Sequence, residues 1–240
     1  MRNIIVIIKK QLQDTFKNKT ILIQFVMFPL LTIVMENAVN IEGMEPLFFT
    51  KLFSTMFMGM APLTATAGII AEEKEKDTLR VLMMANVKPW QYLIGIATYV
   101  WTICMIGAGV MSTTIPSSLV KTSSAQISES AVVSYLSIMA IGFVISTLAG
   151  AAIGVFAKNQ MTATSLTVPV MLILSFAPML SMFNDKIEKV ARAFFTQQLK
   201  ITLDEMALAS VNATNAVIIA ANAVLFTALF VFAYQRKGLE

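Results

Sequence analysis

Long apolar runs alternate with short polar breaks along almost the whole chain. Six runs reach the roughly 20 residues that a helix needs to cross hydrocarbon: 20–38, 52–71, 91–115, 131–157, 162–183 and 212–234. Strands of a membrane barrel alternate apolar and polar residues over about ten positions. Runs such as Ala131 to Ala157 are apolar on every side instead. The pattern predicts an all-α membrane protein, a single domain over 1–240 with six transmembrane helices.

Three segments between the runs keep helical spacing. In 2–18, Ile4, Ile8, Leu12 and Phe16 recur every fourth position with Ile5 beside them, while Lys9, Lys10, Gln13, Asp14 and Lys17 take the other side. Val6 and Ile7 interrupt the pattern. It predicts an amphipathic helix at the headgroup boundary; the alternative is a basic leader that only fixes topology. In 184–211, Ile187, Val190, Ala191, Phe194, Phe195 and Leu199 follow the i, i+3, i+4, i+7, i+8 rule, with charged residues between them. That segment predicts an amphipathic helix dipping into or resting on the membrane, or a plain surface connector. The third, 72–90, joins spans two and three.

Composition sharpens the class. The chain is 57% hydrophobic and only 13% charged, with a mean hydropathy of +0.74, where soluble chains are about 45–50% apolar and about 25% charged. Charge also sets orientation. With both ends on one face, that face holds Arg2, Lys9, Lys10, Lys17, Lys19, Lys74, Lys76, Arg80, Lys88, Lys158, Arg236 and Lys237, two-thirds of the 18 basic residues. The positive-inside rule then places both termini and 72–90 in the cytoplasm, with the chain multi-pass in a cell membrane. The net charge of +4 reflects that orientation, and no basic stripe interleaved with aromatics points to nucleic acid.

Other features concern packing. Pro29, Pro62, Pro169 and Pro178 interrupt spans, as the bilayer tolerates when neighbours re-satisfy the freed carbonyls. Gly142, Ser146, Gly150 and Gly154 form a smooth stripe that lets backbones approach; internal packing is the expectation, and a dimer seam the alternative. The single cysteine, Cys104, lies inside a span. The basic first residues lack a small-residue cleavage site, so the first span is expected to act as an uncleaved anchor.

Catalytic chemistry is missing. The chain has no histidine, one cysteine and no GxxxxGK[ST] loop. The adjacent Glu72–Glu73 pair lacks the histidines a metalloprotease needs, so catalytic and metal sites are expected to be absent. The six runs contain no Asp, Glu, Lys or Arg except Glu36, near one end of the first. An ion-coupled carrier would hold such groups at the midplane, so the energy for transport must come from elsewhere.

The densest charge is Glu72, Glu73, Glu75 and Asp77, four of the 14 acidic residues in six positions. They precede a short helical pattern in which Leu79, Leu82 and Met83 share a face. Acidic residues in a first helical turn are favoured by the helix dipole, and Pro89 and Trp90 close the segment. A short helix with an apolar knob and a charged collar, Arg80 included, suits docking into a partner's groove. A solvated loop that only fixes topology is the alternative.

The succession Glu73-Lys74-Glu75-Lys76-Asp77-Thr78-Leu79-Arg80-Val81-Leu82, then Val87-Lys88-Pro89 and Gly95, resembles the ABC-2 type permeases of ATP-driven exporters. In that family's pattern glycine is usual at Asp77, glutamate at Arg80 and lysine at Ile96. The resemblance covers essentially the whole chain. It implies a permease paired with a second or sister copy and with separate ATPase subunits, which bind the ATP and Mg; no cofactor is implied on this chain. It also implies that 72–90 is the coupling helix, with 2–18 the connecting helix beside it. Spans two and five would line the path. There the chain offers Thr55, Thr64 and Thr66 with Met56, Met58 and Met60, and Met171, Phe176, Met179 and Met182. The expected function is export of a hydrophobic or amphipathic substrate (drug, antimicrobial peptide or lipid) from a bacterial cell. The alternative is a non-transporting immunity or sensor subunit that binds a cytoplasmic partner.

Overall fold

The computed structural model describes residues 2–17, 19–39, 45–115, 125–205 and 212–238. Among them the chain forms ten helices and no strand: α1 (Arg2–Lys17), α2 (Lys19–Ala38), α3 (Phe48–Glu75), α4 (Thr78–Met84), α5 (Pro89–Ser112), α6 (Ala125–Phe156), α7 (Gln160–Leu180), α8 (Asp185–Ala191), α9 (Phe195–Glu205) and α10 (Ala213–Lys237). Helices α3, α5, α6, α7 and α10 are long and apolar enough to cross a membrane. The run expected at 20–38 corresponds to a shorter apolar stretch of α2, Leu22–Ala38. At 1.5 Å per residue it covers about 25 Å of a core about 30 Å thick. The described residues thus hold five candidate spans where six were expected.

Helix α3 is the centre of the bundle, and the small-residue stripe of α6 lies along it. A Cβ on Gly150 would collide with the Leu63 carbonyl, and one on Gly142 with the Met58 side chain. The stripe therefore serves internal packing. Between those glycines, the Ser146 hydroxyl donates to the Met58 carbonyl at 2.6 Å. Pro62 follows Met58 by four positions and has no N–H to offer that carbonyl. Ser146 is 0% exposed and supplies the missing bond from the neighbouring helix, as hydrocarbon requires. Phe57 packs edge-on against Phe143 at 5.5 Å and fills the layer below.

Helix α1 forms as the spacing predicts, but its buried edge is displaced. Ile7, Gln11 and Thr15 are buried, one per turn. Ile7 sits over Gly95 of α5, the Asn3 amide donates to Gln91 at 3.1 Å, and the Tyr99 hydroxyl donates to Thr15. The expected apolar face lies next to this seam, where Ile5 and Leu12 stay exposed. The helix has three sides, one against α5, one apolar and one charged, because Ile7 serves the protein seam while Ile5 and Leu12 remain outside it.

The segment after α7 is two helices, α8 and α9, where a single one was expected. Asn222 lies nine residues into α10, and its amide donates to the Ala193 carbonyl at the α8–α9 break at 2.9 Å. Phe195, at the start of α9, packs edge-on against Phe226 at 6.1 Å. Phe226 is about 20 Å along α10 from Ala213 at the helical rise. The break therefore packs beside the middle of α10. Gln198 satisfies the Arg192 carbonyl and Asn222 that of Ala193, so the carbonyls freed at the break are paired. Residues 206–211 of the expected segment lie outside the described residues.

Candidate functional site

Helix α3 runs four residues past the expected span and carries Glu72, Glu73 and Glu75 on its last turn. Helix α4 then begins at Thr78 with no acidic residue in its first turn. The acids expected at a helix start sit instead at a helix C-terminus, where the dipole disfavours negative charge. Side-chain partners compensate, and each partner lies in a different place. Glu72 pairs with Lys76 at 2.5 Å, and its hydrogen bond and charge hold the Lys76 amine above its usual range. Glu73 accepts from Lys10 at 2.6 Å and from the Gln11 amide, both on α1. Lys74 donates to the Val155 carbonyl near the end of α6 at 2.8 Å. Glu75 accepts from the Gln160 backbone N–H at the start of α7 at 2.9 Å. One helical turn thus ties α1, α6 and α7 to α3.

Glu73 is the innermost of these groups, 5% exposed. Its Oε2 is buried without a hydrogen bond, as is the Tyr92 hydroxyl of α5, which lies close enough to feel the Glu73 charge. Glu73 faces into the bundle and is not part of an exposed collar.

Asp77 links α3 to α4 with φ 54°, in the left-handed region. That conformation favours glycine, and aspartate tolerates it better than most side chains. The glycine usual at this place in the resembled pattern meets the same backbone demand. Asn86, at φ 66°, closes the turn after α4.

The expected apolar knob is corrected by burial. Leu79 is 1% exposed and belongs to the core, and Leu82 and Met83 are half-buried against it. The outward face of α4 is instead Arg80, Val81 and Met84, the last two 58% and 73% exposed. Thr78 anchors the other side by donating to the Glu73 carbonyl at 3.1 Å. Leu79 holds α4 in place while its outer face stays open. Sequence spacing grouped Leu79, Leu82 and Met83 on one face, but that face packs on the core and leaves Val81 and Met84 outside.

The candidate path residues are only partly brought together. Gly59 of α3 packs against the Leu174 backbone and the Ser175 hydroxyl of α7, so the two helices are in direct contact. Thr55 and Thr66 are buried; Thr55 donates to the Lys51 carbonyl at 2.8 Å, and the Thr66 hydroxyl has no partner. Thr64 turns to α2, donating to Gln24 at 2.9 Å. Met171, Phe176 and Met179 are half-buried on α7. Glu36, expected at an interface, accepts from the Thr50 N–H at 2.9 Å and its hydroxyl at 3.1 Å. It caps the first turn of α3. Among the described residues no group of His, Cys, Asp or Glu is arranged to hold a metal.

A family model described as "ABC-2 family transporter protein" matches residues 2–233. No curated protein is similar enough to the chain to match it.

Proposed function

The chain belongs to the ABC-2 family of transporters, a multi-pass membrane permease, and on that premise we propose that it is the membrane subunit of an ATP-driven exporter. A separate ATPase subunit docks on α4 and supplies the energy, with ATP and Mg bound there. A second copy or sister permease completes the path, and a hydrophobic or amphipathic substrate moves outward. The charged end of the bundle is cytoplasmic on this reading, as the basic residues require.

The observation that carries the proposal is the mounting of α4. Its outer face of Arg80, Val81 and Met84 is open, while Leu79 is buried and Thr78 bonds α4 to the last turn of α3, the turn that is itself tied to α1, α6 and α7. A push on α4 therefore reaches α1, α3, α6 and α7 together. Nucleotide binding shifts the transporter between states only as far as the docked ATPase holds them differently, and a rigid mounting makes that difference large.

The test is the pair Val81→Asp and Met84→Asp. Both side chains are exposed, so the permease should fold and melt as wild type while co-purification with the ATPase and transport in vesicles are lost. Leu79→Asp does not serve, since it buries a charge in the core. Retention of the ATPase and of transport by the double variant would overturn the docking face. Intact ATPase binding without any transport by wild-type protein would point to the non-transporting alternative.

A further inference from the structure

A groove of about 860 Å³ opens between α4, the start of α5 and the end of α10. Its lining carries four cations, Lys74, Arg80, Lys88 and Lys237, against one anion, Asp77. Arg80, Lys88 and Lys237 make no ion pair among the described residues, and Lys74 spends its hydrogen bond on a carbonyl. Lys237 lies within Coulombic reach of Lys74. Cations gathered this way repel one another unless an anion lies among them. The Tyr234 hydroxyl also lines the groove and makes no hydrogen bond among the described residues. By contrast Arg236, one residue away, stacks over Phe232 at 5.0 Å and is turned elsewhere.

The other walls are apolar, with Leu79 and Met83 of α4 and Pro89 of α5. Trp90, exposed beside Pro89, fits the aromatic belt at headgroup level. A second groove of about 540 Å³ runs along one face of α10, past Val224, Ala228 and Val231 to Gln235. The next position on that face, three residues on, is Gly238, which lines the basic groove. A mostly apolar surface groove on α10 thus points toward a cluster of unpaired cations at its end.

We infer that the two grooves together bind one anionic phospholipid, its phosphate among Arg80, Lys237 and Lys88 and an acyl chain along α10. A free phosphate would meet the same cations but would leave the α10 groove uncovered. An acidic segment of a protein partner would not fill it either. Because Arg80 also stands on the outward face of α4, the lipid would contact the helix proposed to dock the ATPase.

The test uses the full permease without any ATPase, so its outcome is independent of the docking proposal. Retention of phosphatidylglycerol and of phosphatidylcholine is compared by native mass spectrometry for wild type, Arg80→Gln, Lys237→Gln and the double variant, with Lys9→Gln as control. Phosphatidylglycerol should be retained preferentially. Each groove variant should weaken it roughly fivefold, as expected for a basic residue near an anionic lipid surface, and Lys9→Gln should not. Two further variants separate the tail from the headgroup: Ala228→Val adds little bulk, whereas Ala228→Trp fills the α10 groove, and only the second should displace the lipid. Melting of each variant in phosphatidylcholine alone checks the fold. Equal loss with Lys9→Gln, no loss in the double variant, or displacement of the lipid by millimolar inorganic phosphate would overturn the inference.

Discussion

Removing the Glu73 carboxylate should detach α1 from the bundle. In Glu73→Ala the Gln11 amide, on a residue 3% exposed, loses its acceptor, at about 1–3 kcal/mol for a buried unsatisfied group. The truncated side chain also leaves a space beside Tyr92, adding about 1 kcal/mol. The Lys10 side chain is 36% exposed and regains water, so its loss adds only about 0–1 kcal/mol. Glu73→Ala should therefore cost about 3 kcal/mol, a sizeable part of the roughly 5–15 kcal/mol that holds a typical fold. Glu73→Gln keeps the shape and an acceptor for Gln11 and loses mainly the charged bond to Lys10, about 1 kcal/mol. Three measurements check this. Equilibrium unfolding in mixed micelles gives the two losses, and a double-mutant cycle with Lys10→Met gives the coupling between the charges. Disulfide formation between Asn3→Cys and Gln91→Cys reports whether α1 still lies on α5. Should Glu73→Ala cost no more than Glu73→Gln, or should the cross-link form unchanged in both, the carboxylate is not what fixes α1.

Ser146→Ala should cost about 1–3 kcal/mol in the same unfolding assay, because the Met58 carbonyl freed by Pro62 loses its donor; Pro62→Ala in the same background should restore much of it. Gly150→Val should block close packing of α6 on Leu63 and abolish folded protein in size-exclusion profiles, whereas Gly109→Ala, where a Cβ meets nothing within 4 Å, should behave as wild type. Asp77→Gly should leave melting unchanged or slightly raised, and Asp77→Val should lower stability by roughly 1–2 kcal/mol, since a β-branched residue resists the left-handed backbone.

What the sequence made legible follows from which signals are local. Five spans rest on the length of an apolar run, the α1 helix and the α6 stripe on periodicity within one segment, and all three are present. The side chain that each partner meets is a different matter. Glu73 is 63 positions from Lys10 and 62 from Gln11, and nothing near either residue marks the pairing. The same gap explains the displaced seam of α1: Ile7 interrupts the pattern read alone, and only Gly95 on α5 shows why an isoleucine belongs there. The knob at Leu79 failed for a related reason. Spacing says which residues share a face, but not whether that face meets solvent or the rest of the chain.

The charged block shows how misleading the local signal is when read by its density. Acids and lysines crowded between two apolar runs suggest a solvated patch, yet three of the six at 72–77 are fasteners to other helices. Lys74 reaches the end of α6, Glu75 the start of α7 and Glu73 the middle of α1. A soluble loop has no need of three such ties, because water satisfies its charges without fixing their positions. A lever has that need: force applied at α4 is lost wherever the mounting yields. The ties also explain why α3 continues four residues past its apolar run. Its last turn reaches α1 on one side and the α6–α7 turn on the other, and long polar side chains span those gaps. Density of charge at this point is thus a consequence of several helices meeting at one turn, and on the proposed function α4 is where a partner would act on all of them.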